Sequence, residues 1–226
     1  MAAVNPIDDR KCIPTLVKNS ALVEEKRRRI VEAAVGLFIS KGFHRTTTRE
    51  IARAVGFSIG SLYEYVASKE DILYLVCEAI HAEMEAQLGR DTAQGQTCEA
   101  HLSNAIQNYI SVCDRMQDSI LLIYRETASL PKESRRYVLR NEERITEIFQ
   151  KILETGVCEG AFKLDGARSV QLMAHNIVVL GHMWAYRRWF LRGKFTLEEY
   201  IASQTSLIMG ELTHSLPNRS RRAQTP

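Results

Sequence analysis

The sequence predicts an all-α fold: an N-terminal three-helix helix-turn-helix domain followed by a larger C-terminal helical domain. Three observations carry the fold class. Apolar residues recur at helical spacing along most of the chain, several segments open on a capping side chain and close on glycine, and no alternating β-branched stretch is bounded by hairpin turns. With 226 residues and 45% hydrophobic content, the chain is long enough to bury a substantial core in one or two domains.

Residues 1–20 lack periodicity, contain Pro6 and Pro14, and read as a flexible N-terminal extension. A first helix is expected from Ala21 to Ser40, with Ile30, Ala33, Ala34, Leu37 and Phe38 as its apolar stripe and Lys41-Gly42 as its stop. Thr47 and Glu50 then have capping-box spacing for a short helix whose inner face is Ile51, Ala52 and Val55 and whose end is Gly56. Ser58 caps a second helix, expected to run from Ile59 to about Val66. Ser68 caps a third, with Glu70 and Asp71 in its first turn complementing the macrodipole. Two helices joined by a tight glycine-containing turn are helix-turn-helix grammar, and residues 21–70 form the expected domain.

Charge agrees with that reading. Between Lys26 and Lys69 nine basic residues face three acidic ones, so this segment carries +6 and the remainder −3 of a formal +3. A solvated charged face is the bland reading of such a run; the motif within it favours nucleic acid. Ser58, Gly60 and Ser61 are small enough to let the start of a recognition helix approach the major-groove floor. Thr47 and Lys69 stand at helix N-termini, where free N–H groups and the dipole favour phosphate. Tyr63 and Tyr65 bring polar tips suited to phosphate or thymine-methyl contacts.

The stretch from Gly42 to Leu73 resembles the DNA-binding signature of the TetR family of one-component regulators. The paired threonines, I-A-x-x-x-G, S-x-G-S-L-Y-x-Y and S-K-E-D-I-L fall at matching positions without gaps. The resemblance implies phosphate or base contacts from Thr46, Thr47, Arg49, Ser58, Ile59, Ser61, Tyr63, Tyr65 and Lys69, with Gly60 in the recognition segment. It implies core roles for Ile51, Ala52, Leu62 and Leu73. Two positions depart from the pattern: Ile59 stands where many relatives carry Lys or Arg, and Val66 replaces an aromatic. Ile59 removes a cationic base reader and is expected to meet a thymine methyl instead.

For residues 71–215 the resemblance implies an all-helical ligand-binding and dimerization domain, and the residues themselves show a polar connection over 89–97. Amphipathic stretches follow near 101–113, 119–129, 132–154, 165–191 and 197–214; Pro131 and Thr196 are placed to start two of them. The uncharged run 169–186 is interrupted by Gln171, His175, Asn176 and His182 and reads as a buried helix rather than a membrane span. Apolar residues on more than one side of the last two helices ask for more than one partner, and the resemblance implies a four-helix homodimer interface matching a palindromic operator. In W-A-Y-R-R-W-F-L-R (184–192), expected on one helix, arginine stems covering aromatic faces are the plain reading. The functional alternative is that Arg187, Arg188 or Arg192 faces an anionic group at the mouth of an apolar pocket.

The segment L-L-I-Y-R-E-T-A-S-L-P-K-E (121–133), with that aromatic-arginine stretch, is similar to effector domains of the fatty acyl-CoA-responsive branch of the family. This implies an acyl-CoA or comparable amphipathic acid, its chain among Leu122, Tyr124, Met173, Ile177 and Trp184. The expected partners are thus double-stranded operator DNA, a small-molecule effector and a second copy of the chain, with no membrane. A repressor is expected; a helical DNA-binding or scaffold protein without effector response is the alternative.

An enzyme is not expected, since H-E-x-x-H, G-x-S-x-G, P-loop and Cys-His contexts are missing. No cofactor and no metal are called for: His175 and His182, seven apart, read as pocket or core residues. Five scattered cysteines fit a reduced cytoplasm, and Asp8 and Asp9 ahead of any apolar stretch argue against export. The end, 216–226, reads as a flexible basic tail.

Overall fold

The computed structural model describes residues 11–88 and 95–213; the tail expected over 216–226, residues 1–10 of the extension and most of the 89–97 connection lie outside the described residues. The elements are α1 (Ser20–Lys41), α2 (Thr48–Val55), α3 (Ile59–Tyr63), α4 (Lys69–Leu88), α5 (Cys98–Arg115), α6 (Gln117–Glu126), a 3-10 turn (Thr127–Ser129), α7 (Lys132–Cys158), α8 (Gly166–Tyr186), α9 (Arg188–Leu191) and α10 (Leu197–Thr213). Among the described residues there is no strand, and no helix is long and apolar enough to cross a membrane.

The chain divides into two compact units, residues up to Glu83 with Leu121–Glu142, and Met84–Ile120 with residues from Glu143 onward. In the first, Asn19 caps α1 by accepting from the Leu22 N–H, and Gly42 ends it at φ 85°, a conformation that costs a residue with a Cβ. Ile30, Ala34, Phe38, Phe43, Ile51, Leu62 and Ile72 are buried together as the core of the head. Residues 11–18, which the sequence assigns to a flexible extension, are bonded to this unit. The Lys11 ammonium pairs with Asp71 at 2.5 Å, the Leu16 N–H donates to the Glu64 carbonyl at 3.0 Å, and Ile13 is buried. The Arg27 guanidinium ties the strap down by donating to the Ile13 and Tyr65 carbonyls.

In the second unit α5 packs against α8 and α10. Gly181 of α8 makes the approach possible: a Cβ there would lie 2.4 Å from the Tyr109 ring and 2.9 Å from Cys113 Sγ. Tyr109 also stacks edge-on against Phe149 and donates its hydroxyl to the Val178 carbonyl. Tyr200 of α10 donates to the Leu180 carbonyl at 2.8 Å and packs its ring 4.8 Å from that of Trp184.

Two expectations for α8 are corrected. It is buried on one face only: Val170, Ala174, Ile177 and Val178 are inside, whereas Gln171, Leu172, His175 and Asn176 are exposed. Nor does it continue to residue 191. Arg187 leaves the helix at φ −100°, ψ 20°, and its carbonyl accepts from both the Phe190 and Leu191 N–H groups, starting the separate turn α9. No proline or glycine causes this break. The turn is held by ion pairs, Arg188 to Asp118 at 2.9 Å and Arg192 to Asp114 at 2.6 Å.

Candidate nucleic-acid interface

The site is a set of local caps that aim one short helix outward. Thr47 and Glu50 form the reciprocal capping box of α2, and Lys41 pairs with the Glu50 carboxylate. That ion pair, with hydrogen bonds from the Thr47 backbone and hydroxyl, holds the Glu50 carboxyl down at about 2. Gly56 closes α2 in the left-handed conformation, φ 79°, and the Phe57 N–H reaches back to the Ala52 carbonyl at 2.8 Å. Ser58 then caps α3 by accepting from the Ser61 N–H at 3.0 Å. Arg29 secures the turn from α1, donating to the Val55 carbonyl while lying over the Phe57 ring.

α3 is shorter than its sequence suggests. It stops at Tyr63 because Tyr65 and Val66 turn inward, their N–H groups both bonding to the Leu62 carbonyl and their side chains buried. What faces out is a surface of Ser58, Ile59 and Gly60, half-buried Ser61, and Tyr63, whose hydroxyl lies 3.2 Å from the Thr48 hydroxyl. Gly60 is not required by packing, since a Cβ there would meet nothing nearer than Ser58 Oγ at 3.7 Å. Thr47, the cap of α2, and Arg49, on its first turn, are also exposed, and Arg49 makes no ion pair among the described residues.

Three residues anticipated as DNA contacts are turned toward the protein. Thr46 is 1% exposed and donates its hydroxyl to the Gly42 carbonyl. Tyr65 is 8% exposed, its ring 6.0 Å from that of Phe57. The Lys69 ammonium donates to the Phe43 and Thr46 carbonyls, each at 3.0 Å, and lies over the Phe43 ring. Thr46 and Lys69 brace the loop that carries Thr47, and Tyr65 packs on the turn that precedes α3. Sequence reasoning missed Thr48 as the partner of Tyr63 and counted Arg27 and Arg29 as free charge, although both hold backbone carbonyls. The predicted core residues Ile51, Ala52, Leu62 and Leu73 are all buried.

The residues anticipated around an effector divide between the units. Leu122, buried, and Tyr124, half exposed, belong to the first; Met173, half-buried, and Ile177 and Trp184, both buried, belong to the second. Trp184 donates its indole N–H to Asp114 at 2.8 Å, the carboxylate that also holds Arg192, while Arg188 reaches Asp118 and Gln117. Two of the three candidate anion-binding arginines are therefore already paired with acids. A cavity of about 990 Å³ lies in the first unit, lined among others by Ile13, Val23, Arg27, Tyr74 and Ala79, and none of the anticipated effector contacts borders it. Among the described residues no cluster of His, Cys, Asp or Glu could hold a metal ion.

An exposed, capped recognition helix on an all-helical body defines a helix-turn-helix transcriptional regulator. The chain belongs to the TetR family: residues 30–75 match the description "Bacterial regulatory proteins, tetR family", and residues 95–212, just over half of the chain, match "Tetracyclin repressor-like, C-terminal domain". The HTH-type transcriptional regulator HbdR of Aromatoleum sp. (strain CIB) is 29% identical over 197 residues, covering 87% of this chain and 85% of that protein. A tetR-family regulatory protein from Rhodococcus RHA1 superposes with a TM-score of 0.72 at 24% identity, covering 84% of this chain and 98% of that one. AibR, solved with isovaleryl coenzyme A and operator DNA, shares the fold with a TM-score of 0.67 at 18% identity, over 80% of this chain and 97% of its own. The family and these relatives are regulators of transcription rather than enzymes.

Proposed function

We propose that this regulator is a cytoplasmic repressor that binds a palindromic operator as a homodimer and leaves it when an amphipathic acid, an acyl-CoA or a close analogue, occupies the domain spanning 71–215. The observation that carries the DNA half is the outward surface of Ser58, Ile59, Gly60, Ser61 and Tyr63, flanked by Thr47 and by Arg49, which makes no ion pair among the described residues. Thr47 and Arg49 meet phosphate and fix register; Ile59 and the serines meet base edges. Thr46, Tyr65 and Lys69 act through the loop and the turn they brace.

Dimerization is supported by Leu172 on α8 and Leu207 on α10, 60% and 68% exposed in the single chain. The effector class is supported by the aromatic-arginine turn after α8 and by the fold shared with AibR, whose structure contains a coenzyme A thioester. Ligand would act by favouring a dimer whose recognition helices no longer match successive major grooves.

The test is a gel shift against DNA upstream of the coding region, repeated with acyl-CoAs, free acids and aromatic compounds. A shift released by acyl-CoAs supports the whole reading. A specific shift indifferent to the panel leaves a DNA-binding protein without this effector, and no shift at low salt on any selected DNA removes the reading altogether.

A further inference from the structure

The turn between α8 and α10 sorts its cations into two kinds. Four basic side chains fall between Arg187 and Lys194, and two of them, Arg188 and Arg192, are folded onto Asp118 and Asp114. Arg187 and Lys194 make no ion pair among the described residues and lie over aromatic rings instead. The Arg187 guanidinium is 5.0 Å from the Trp189 ring and 5.7 Å from that of Phe190, and the Lys194 ammonium is 4.5 Å from the far partner of that pair, Phe190. Trp189 is 73% exposed, and Tyr186, Phe190 and Phe195 are exposed beside it.

Single exposed aromatics need no explanation, but four of them within ten residues, interleaved with unpaired cations, form a patch whose chemistry selects a partner. An aliphatic acid would satisfy the cations and leave the indole face bare. An acidic peptide would do the same. A ligand that is both a flat ring and a polyanion uses both halves, because rings stack on an indole face and guanidinium binds phosphate oxygens well.

We propose that this turn is a nucleotide subsite: the purine of a coenzyme A-type ligand stacks on Trp189, and its phosphates lie against Arg187 and Lys194. The proposal rests on the acyl-CoA reading above and deepens it. Trp184, buried on Asp114, and Trp189, exposed, stand on either side of the break at Arg187, which turns the aromatic-cationic patch out to solvent.

The test uses the full chain, which has two tryptophans, of which only Trp189 is exposed. Coenzyme A itself is titrated by calorimetry, and on wild type by tryptophan fluorescence as well, with S-butyryl-N-acetylcysteamine as a thioester lacking the nucleotide. The expected result is a saturable quench in wild type, and calorimetric affinity for coenzyme A weakened by about tenfold in each of Trp189→Leu, Arg187→Gln and Lys194→Gln, the loss of roughly one stacking or charge-assisted contact. Binding of the short thioester is expected to be the same in all variants.

Coenzyme A binding wild type and Trp189→Leu equally, or neither, overturns the proposal. So does conversion of dimer to monomer by Trp189→Leu in sedimentation, which would make the patch a subunit interface. A coenzyme A quench without operator release by any acyl-CoA keeps the subsite and removes the effector reading. Operator release by acyl-CoA that Trp189→Leu leaves unchanged, with coenzyme A silent, removes the subsite alone.

Discussion

Ile59 opens the recognition helix, 39% exposed and directly after the Ser58 cap. A branched aliphatic chain there has no donor to offer a guanine, so the base contact proposed for it is apolar, and the thymine methyl is the apolar group that the major groove presents. Ile59→Lys replaces that contact with a donor suited to guanine O6 and N7. In a binding-site selection, the variant is expected to exchange a preference for T·A for one for G·C at a single position per half-site, a discrimination of about 1–3 kcal/mol. Identical selected sequences for variant and wild type would show that Ile59 does not touch a base. The same scale shows what the sequence conceals. Tyr63 and Tyr65 are two apart and equally amphipathic on paper, yet Tyr63 is 44% exposed and Tyr65 8%. The chain leaves the helix between them and buries the second against Phe57, an outcome of tertiary packing that spacing alone does not encode.

At the scale of elements, legibility follows locality. Thr47, Ser58, Ser68 and Thr196 each bond to a backbone N–H three residues on, so the starts of α2, α3, α4 and α10 are written in single side chains. The break at Arg187 has no such local sign, because Asp114 and Asp118, about seventy residues away in sequence, hold the turn in place. Close approach of helices is equally remote from local pattern. Gly181 looks like a mild flaw in an apolar helix, yet it is the site where the Tyr109 ring lies against the α8 backbone. Gly181→Ala must push that ring and Cys113 away, and the Tyr109 ring is itself wedged against Phe149. The substitution gains helix propensity but overpacks the α5–α8 seam, for a net destabilisation of about 1–3 kcal/mol. Urea unfolding would read it as a lower midpoint at unchanged slope; a midpoint at or above that of wild type would mean that the seam yields freely.

For the whole molecule, the question is how many copies of the head sit on one operator, and ionic strength can count them. Each phosphate neutralised by a cation adds about 0.9 to the steepness with which log K falls against log salt. Arg49 is the clearest probe, exposed on the first turn of α2 and free of ion pairs among the described residues. If a twofold dimer binds, removing it deletes two phosphate contacts at once, so Arg49→Ala should flatten the slope by about 1.8, against about 0.9 for a lone head. Lys69→Met provides the contrast. Its ammonium is occupied by the Phe43 and Thr46 carbonyls, so its loss should lower the stability of the head while leaving the slope unchanged. A flattening by two contacts for Arg49 and by none for Lys69 would establish both the twofold complex and the division between residues that touch DNA and residues that brace those that do. Equal flattening by both would return Lys69 to the phosphate contacts and mean that its bonds to the loop give way when DNA binds.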